Sequence, residues 1–455
     1  MKLYHKISFL VILPGLLITA SCKKTFFTDQ NINPNALAAV TPDLLLPTVE
    51  AALAYTQGGD ISRFTALLTQ QMFGSNASQS QQYYNYNLNP GAFDNLWPDL
   101  YTSTMENDYT MMKIADAGGF NRYGGIGRIL MAYTLQMSVD LWGDLPYSQS
   151  FTGNTGNAIL HPIYDKALGL YDTIASLINV GTALLQSPNA GALIPGANDV
   201  IYKGDAGKWI AFGHAIKGRL ALHQSKGNPA MAATALNELA KAMSDNSGNA
   251  QYIFGTKETD ANAWYQFYRD RPADENFTGS TLAATMLARN DPRYGAFDLD
   301  STGSDGKAFS YYNKINSPVE FITFDEIQFM TAEGVLRNGG SFVAATAFYQ
   351  SAIKANMTKL GIDATTIQNY LAAHGTLTAS SVDAAIAQIA SEEYIALFLN
   401  PEVWTLWRRT GTPVLTSVSG NSIPRRLLYP QTELNYNADN VPAVTLFQPK
   451  IFWDN

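Results

Sequence analysis

Residues 389–411 read IASEEYIALFLNPEVWTLWRRTG, and this run admits few backbone conformations. Apolar residues recur at helical spacing in its first half, which predicts a helix that begins near Val382 behind a capping serine. Pro401 ends that helix, because the residue before a proline is driven out of the α-helical region. Pro401 also starts a second, short helix, and Gly411 suits the left-handed residue that closes it. The run therefore predicts two helices joined at a sharp corner.

Tryptophans and arginines crowd the second helix of this corner. Trp404 and Arg408 lie four residues apart, so the guanidinium can stack on the indole on one face of the helix. One interpretation is a packed structural corner, and the other is a ligand site that includes Trp407 and the arginines. We favour the structural interpretation, because large aromatic side chains are usually well buried.

Three motifs in the chain resemble those of a single family. The corner carries ExWxxxRRTGxP, residues 423–430 read IPRRLLYP, and residues 140–147 read DLWGDLPY. Together they resemble the SusD/RagB-like outer-membrane lipoproteins, over nearly the whole mature chain. The resemblance implies a mainly helical scaffold of about four tetratricopeptide-like hairpins that supports a loop-rich, irregular face. In that family the face binds a nutrient, usually an oligosaccharide and sometimes a peptide, and the protein covers a SusC-like, TonB-dependent transporter.

Residues 322–356 contain the clearest helical hairpin. Small and aromatic residues recur over about 34 positions, as in a tetratricopeptide unit, with a turn at Gly339 and Gly340. Other helix pairs are predicted over residues 41–73, 93–142 and 161–224. Stacked hairpins explain how residues 22–455 can form one α-helical domain.

The charge of the chain argues against nucleic acid as a partner. The formal net charge is -8 and the isoelectric point about 5.2, whereas nucleic-acid binding needs a basic surface. Tyr, Phe and Trp make up 12% of the residues and charged residues only 15%. Tyr and Trp join an apolar body to a polar tip, and this composition suits wet binding surfaces.

The N-terminal region resembles a bacterial lipoprotein signal. Lys2 and Lys6 precede an apolar run at residues 7–18 that is too short to span a bilayer comfortably. Small residues then lead to Cys22, the single cysteine of the chain. We expect a signal peptide at residues 1–21 and lipidation of Cys22. The lipid is expected to anchor the protein in the outer membrane at the cell surface, with residues 22–41 as an extended tether. An ordinary secretory signal is the alternative.

Two irregular segments are predicted to supply an aromatic platform for the ligand. Residues 74–90 form a long polar stretch, and long loops inside compact domains are uncommon unless they have a function. Helical periodicity also fades between residues 249 and 316, where aromatic residues are frequent. Scaffolds commonly present binding residues on such segments. The predicted ligand-binding residues are Tyr83, Tyr84, Tyr86, Trp264, Tyr265 and Tyr268.

Catalytic motifs are absent from the sequence. It has no GxSxG, HExxH, Walker or complete GxGxxG pattern, so we expect a binding protein with no cofactor and no metal. Asp140 and Asp144 are expected to cap a tight turn, and an EF-hand-like run at residues 298–303 lacks the glutamate that calcium needs at its twelfth position. Two alternatives stay open. One is an oligopeptide-binding lipoprotein, and the other is a glycan-cleaving enzyme with two opposed carboxylates in an aromatic cleft.

Overall fold

The computed structural model describes residues 40–153, 156–297, 311–420 and 422–455. The predicted lipidation site Cys22, the predicted signal peptide, most of the tether and the EF-hand-like run at residues 298–303 lie outside these ranges. Pro42–Asn455 forms one compact unit.

Helices dominate the described residues, so the predicted mainly helical fold class is confirmed. Two π-helical segments, Gln57–Ile61 and Asp99–Glu106, extend the α-helices that flank them. The α-helices are, in chain order, α1 (Pro42–Thr56), α2 (Ser62–Leu68), α3 (Gln79–Tyr84), α4 (Leu96–Pro98), α5 (Asn107–Gly118), α6 (Asn121–Trp142), α7 (Ala167–Gln186), α8 (Ala206–Gln224), α9 (Ala230–Leu239), α10 (Ala263–Asp270), α11 (Thr281–Ala288), α12 (Tyr294–Phe297), α13 (Phe324–Arg337), α14 (Phe342–Lys359), α15 (Ala364–His374), α16 (Val382–Ala396), α17 (Glu402–Thr410) and α18 (Gln431–Tyr436). Short 3₁₀ segments lie at Pro90–Phe93, Asn246–Gly248 and Glu258–Asp260.

Four short strands form two antiparallel pairs. β1 (Phe73–Gly74) pairs with β3 (Glu275–Asn276), and β2 (Ala250–Ile253) pairs with β4 (Pro318–Ile322). Each pair joins segments about 70 to 200 residues apart in the chain, so backbone hydrogen bonds hold the irregular region against the helical scaffold.

Neighbouring helices pack as pairs, as the hairpin pattern predicts. In the clearest pair, α13 and α14 are joined by a turn in which Gly339 has a φ of 78°, a conformation that glycine adopts without strain. Phe329 of α13 and Tyr349 of α14 are both fully buried, with ring centroids 6.3 Å apart. Helices α6 and α7 pack together in the same way, as do α8 and α9.

Helix α7 is long and apolar enough to cross a membrane by length and composition. The core helix of a soluble protein passes the same test. Leu170, Ile174 and Ile178 lie on one face of α7 and are buried, and the helix packs against α6. This arrangement is that of an amphipathic core helix.

The predicted corner is present between α16 and α17. The Ser381 hydroxyl accepts the Ala384 N–H and caps α16, and Gly411 ends α17 with a φ of 71°. Trp404 is fully buried and its indole N–H donates to the Pro424 carbonyl at 3.1 Å. The Arg408 guanidinium lies 4.0 Å from the Trp404 ring, which confirms the predicted stacking.

The two arginines of α17 are buried, and both have protein partners. Arg408 donates to the Asp140 carbonyl at 2.7 Å, and burial lowers the pKa of Arg408 to about 10. Arg409 forms a two-point ion pair with Glu333 at 2.8 and 3.1 Å. Burial alone would raise the pKa of Glu333, but Arg409 and Arg337 lower it to about 2. The structural interpretation of the corner is therefore supported.

Three secondary-structure predictions need correction. Residues 74–90 do not form one loop, because the Ser78 hydroxyl accepts the Gln81 N–H and starts α3. The single helix predicted over residues 93–117 is interrupted by the π-helical segment Asp99–Glu106. The helix predicted from His161 begins only at Ala167, whose N–H donates to the Asp144 side chain at 2.9 Å.

The two aspartates of the DLWGDLPY motif do not cap their own turn, contrary to expectation. The Asp144 carboxylate binds the start of α7 and Lys166. Asp140 accepts instead from Tyr171 at 2.5 Å and from Trp453 at 2.9 Å. Gln136, one turn earlier on α6, also donates to Asp140, but the other partners of the two carboxylates are distant in sequence, and nothing in the motif itself indicates them.

Candidate functional site

An open cleft of about 320 Å³ lies where the π-helical segment after α1 meets α10. Its wall combines aromatic rings, carboxylates, guanidinium groups and an amide, the mixture that binds polar ligands with apolar faces. The cleft is lined by Tyr55, Thr56, Gly59, Asp60, Arg63, Asp99, Ala263, Gln266, Phe267, Asp270 and Arg271.

Two glycines allow the π-helical segment to approach its neighbours closely. A Cβ atom at Gly58 would lie 2.3 Å from the Val319 side chain, so no other residue fits without movement. Gly59 departs from helical geometry, with φ −93° and ψ −106°. This kink lies at the cleft, and π-bulges within helices are frequent at functional sites.

Arg63 joins the elements around the cleft. It donates to Glu275 of β3 at 2.9 Å, to Ser80 of α3 at 3.1 Å and to Asp60 at 3.2 Å. Its guanidinium also lies 3.8 Å from the centroid of the half-buried Phe267 ring. Arg63 is itself buried, so these contacts fix the ring that faces the cleft.

Carboxylates and one further cation give the cleft its hydrogen-bonding character. Desolvation at the cleft wall and the nearby Asp60 charge raise the pKa of Asp99. The Arg271 guanidinium lies 5.7 Å from the Phe267 ring and makes no ion pair with the described residues. Tyr55 is 52% exposed, which leaves its ring free to contact a ligand. The cleft thus offers hydrogen-bond acceptors, donors and apolar faces together.

The predicted residues of α3 and its neighbourhood lie near this region but do not line the cleft. Tyr83 and Tyr86 are buried, at 7% and 6% exposure, and the Tyr83 ring packs 4.7 Å from that of Phe64. Tyr84 is half-buried. Pairing of β1 with β3 does bring this segment beside the end of α10, as a shared platform requires.

The predicted residues of α10 are helical rather than irregular. Asn262 caps this helix by accepting the Tyr265 N–H at 3.0 Å, a signal that the aromatic crowding obscured. Trp264 and Tyr268 face the core, at 2% and 5% exposure, and Tyr265 is half-buried. The residue of this helix that presents a ring to the cleft is Phe267. Ligand contact by the six predicted residues stays a prediction.

A small cavity of about 30 Å³ lies behind α10. Trp264 and Tyr312 both line it, and neither the indole N–H nor the phenol oxygen has a hydrogen-bond partner among the described residues. A water molecule occupies about this volume and can satisfy two such groups. Trp264 therefore anchors α10 from the inside.

One buried group in the described residues has the composition of a metal site. Ligand atoms of Asp140, His223 and Glu402 lie within 4.8 Å of one another. Protein donors already occupy them, since Tyr171 and Trp453 donate to Asp140 while His223 Nε2 lies 2.7 Å from Glu402. The arrangement is that of a hydrogen-bonded scaffold.

None of the six predicted ligand-binding residues is among the residues that line the cleft. The predicted platform was chosen for its high density of aromatic residues. In the structure, α10 buries two of them, Trp264 and Tyr268, in the core. The residues QGGD at 57–60 gave a usable signal, because two glycines inside a helical pattern weaken the helix unless packing or function requires them. Contacts such as that of Arg63 with Phe267 span about 200 residues and leave no local trace.

Comparison with protein families identifies one matching family. A family model described as starch-binding and associating with the outer membrane matches residues 34–430. A search of curated proteins finds no match.

Solved structures share the fold at low sequence identity. A chitin-binding protein superposes with a TM-score of 0.76 and 20% identity, covering 91% of this chain and 100% of that one. A SusD/RagB family protein from Bacteroides thetaiotaomicron gives 0.75 and 20%, with coverages of 91% and 99%. A chitin-binding SusD homologue from Flavobacterium johnsoniae gives 0.70 and 20%, with coverages of 91% and 97%. At this identity the likeness shows the fold alone.

Proposed function

The chain belongs to the SusD-like family, described as starch-binding and associating with the outer membrane, and from this premise we propose that it binds a neutral oligosaccharide in the cleft. The observation that carries the proposal is the combination at one open site of a fixed aromatic ring with unfilled hydrogen-bonding capacity. Phe267 supplies the ring, and Asp99, Gln266 and Arg271 supply the polar groups. Starch-type and chitin-type glycans are both candidate ligands.

The chemistry of sugars suits this wall. A pyranose presents C–H groups on one face, which pack on aromatic rings, and hydroxyls at its edge, which both donate and accept. Gln266 spends its amide N–H on the Ala261 carbonyl at 2.8 Å, so its carbonyl oxygen is available to a ligand hydroxyl. Carboxylates accept from hydroxyls as well, and the Arg271 guanidinium donates.

Calorimetry with Phe267→Ala tests the proposal. We expect maltooligosaccharides or chitooligosaccharides to bind the wild type, and affinity to fall by about 2 kcal/mol in the variant, as for an aromatic anchor. Phe348→Ala is a matched control, because Phe348 is also half-buried but lies on α14 and does not line the cleft. Equal affinities in all three proteins, or no glycan binding by the wild type, would reject the site.

The same titrations separate the two alternative functions. Asp60 and Asp99 both line the cleft, as a glycan-cleaving enzyme would require of two carboxylates. We propose binding without cleavage, since the family is described as starch-binding and two of the similar structures are named as chitin-binding proteins. Chromatography of the glycan after long incubation checks this, and shortened products that disappear in Asp99→Asn would establish an enzyme. Binding of oligopeptides in preference to glycans would establish the peptide alternative.

We also propose that the protein is anchored in the outer membrane through a lipid on Cys22 and delivers its ligand to a SusC-like, TonB-dependent transporter. The motive is the short apolar run that ends at Cys22 together with the family membership. Cys22→Ala should release the protein from outer-membrane fractions, whereas Ser21→Ala should not. Membrane association unchanged in Cys22→Ala would exclude the anchor, and the transporter is tested by its co-purification with the wild type.

A further inference from the structure

A second open pocket, of about 430 Å³, lies beside the corner formed by α16 and α17. None of its lining residues lines the cleft. Trp407, Leu415 and Phe447 form an apolar wall, while Arg425 and Lys450 supply positive charge. None of the described residues that line this pocket is acidic, whereas three aspartates line the cleft, and the one carboxylate that pairs with Arg425, that of Asp454, is buried and outside the lining.

Both cations of the pocket have donors to spare. Arg425 uses Nε and Nη2 on the Asp454 carboxylate and the Arg408 carbonyl, and its Nη1 has no partner among the described residues. Lys450 is exposed and makes no ion pair with the residues that the structure describes. The Arg425 guanidinium is held in place, because it also lies 5.0 Å from the Trp407 ring. One fixed cationic donor and one flexible cationic donor therefore meet at the pocket.

Polar and apolar groups complete the pocket wall. The Ser417 hydroxyl oxygen is buried and has no hydrogen-bond partner among the described residues. Gln448 also lines the pocket and is exposed. Its neighbour in the chain, Phe447, is half-buried. A sugar ring can pack its apolar face on Phe447 and form hydrogen bonds to the polar side chains through its hydroxyls.

We propose that this pocket binds an acidic sugar, a pyranose that carries a carboxylate. Arg425 Nη1 and the Lys450 ammonium bind the carboxylate through charge-assisted hydrogen bonds, which are stronger than those between neutral groups. The exposed Gln448 side chain takes a ring hydroxyl, and Phe447 packs on the C–H face. The pocket differs from the cleft in position and in the charge of the ligand it selects, so it adds a second glycan contact to the protein.

Calorimetry with trigalacturonate, and with maltotriose as the neutral comparison, tests this pocket. We expect trigalacturonate to bind the wild type in a salt-dependent way, and Lys450→Gln to weaken it about tenfold. Phe447→Ala should weaken it as well. Lys354→Gln is the matched control, since Lys354 is an exposed lysine on α14 that makes no ion pair with the described residues. Thermal melting of each variant verifies that it is folded.

Three results would overturn the proposal: no binding of trigalacturonate to the wild type, equal affinity in the wild type and Lys450→Gln, or loss of trigalacturonate binding in Phe267→Ala. The last result would place the acidic sugar in the cleft. Failure of neutral glycans to bind leaves the pocket supported as long as trigalacturonate binding depends on Lys450, so the two proposals fail separately.

Discussion

The corner of α16 and α17 and the cleft beside α10 both combine aromatic rings with arginines and carboxylates, but they differ in how far these groups are exposed. In the corner, Trp404 and the two arginines are buried, and their charges are matched by Glu333 and by backbone carbonyls. In the cleft, Arg271 and Asp99 remain exposed. The comparison teaches that aromatic residues and arginines form a structural corner when their charges are paired within the protein, even though Arg409 Nε and Glu393 Oε2 have no hydrogen-bond partner among the described residues. The same residue types form a surface suited to a ligand when they remain exposed.

The strongest test of this contrast is Trp404→Ala. We expect a loss of about 3–5 kcal/mol in the free energy of unfolding, because a fully buried indole leaves a cavity that the corner cannot fill. Denaturation in urea measures the loss, and glycan titration of the remaining folded protein should show an affinity close to that of the wild type. Normal stability with abolished glycan binding would turn the corner into the ligand site.

The Glu333–Arg409 ion pair of the corner predicts that the stability of the protein depends on pH in the acid range. Because the pKa of Glu333 lies near 2 in the folded protein, against about 4.5 in an unfolded chain, the pair stabilises the fold above pH 4.5. That stabilisation, about 3 kcal/mol, is lost as the pH falls from 4.5 towards 2.

Urea denaturation at pH 6 and pH 3 measures this loss in the wild type and in Glu333→Gln. The variant should be weaker at pH 6, because Arg409 is left buried without its partner, and it should change less between the two pH values. An equal drop in both proteins would assign the acid sensitivity to other carboxyl groups.

Within α10, substitution of Trp264 should mainly lower stability, whereas substitution of Phe267 should mainly weaken glycan binding. We expect Trp264→Ala to cost about 2–3 kcal/mol of stability, since its ring is buried against the core. Phe267→Ala should cost less than about 1 kcal/mol of stability while it weakens glycan binding. A Tyr83→Ala/Tyr84→Ala double variant reports on the other half of the predicted platform. Loss of affinity in Trp264→Ala with unchanged melting would restore Trp264 as the stacking residue.

The smallest expected effect on stability is that of Asp108, a buried carboxyl group. It is buried on α5, and neither of its carboxylate oxygens has a hydrogen-bond partner among the described residues. Burial raises the pKa of Asp108 well above its usual range, so stability should decrease as the pH rises above 4. Asp108→Asn should remove this decrease and stabilise the protein at pH 8 by on the order of 1 kcal/mol. A lower melting temperature for the variant at pH 8 would show that the carboxylate has a role.

Much of the fold was predictable because its signals are local. Capping by Ser381 and the left-handed Gly411 each depend on neighbouring residues, and the structure confirms both, whereas α16 already ends at Ala396, before the predicted break at Pro401. The recurrence of small and aromatic residues that predicts the hairpin of α13 and α14 is visible in the sequence itself. Fold class and the corner therefore follow from pattern and chemistry within short windows.

The cleft was less predictable because distant contacts create it. Trp264 is buried and Phe267, three residues later on the same helix, is half-buried at the cleft wall, and aromatic content alone does not distinguish the two. Arg63 acquires its role from Glu275, which is 212 residues away. The start of α3 was missed because a serine cap in a polar run looks like any other loop serine. The predicted site differs from the observed cleft more in the direction in which its side chains point than in its secondary structure.

Asp140 and Trp453 are 313 residues apart in the chain, yet the indole N–H donates to the aspartate within the buried core. Arg425 binds Asp454 in the same neighbourhood. Closing such distant contacts costs chain entropy before it yields any stabilisation, which slows folding. Until residues about 300 positions apart have met, helix α6 keeps part of its apolar surface uncovered. Apolar surface that stays exposed during folding favours aggregation, so these long-range contacts also set how long the unfolded protein is exposed to that risk.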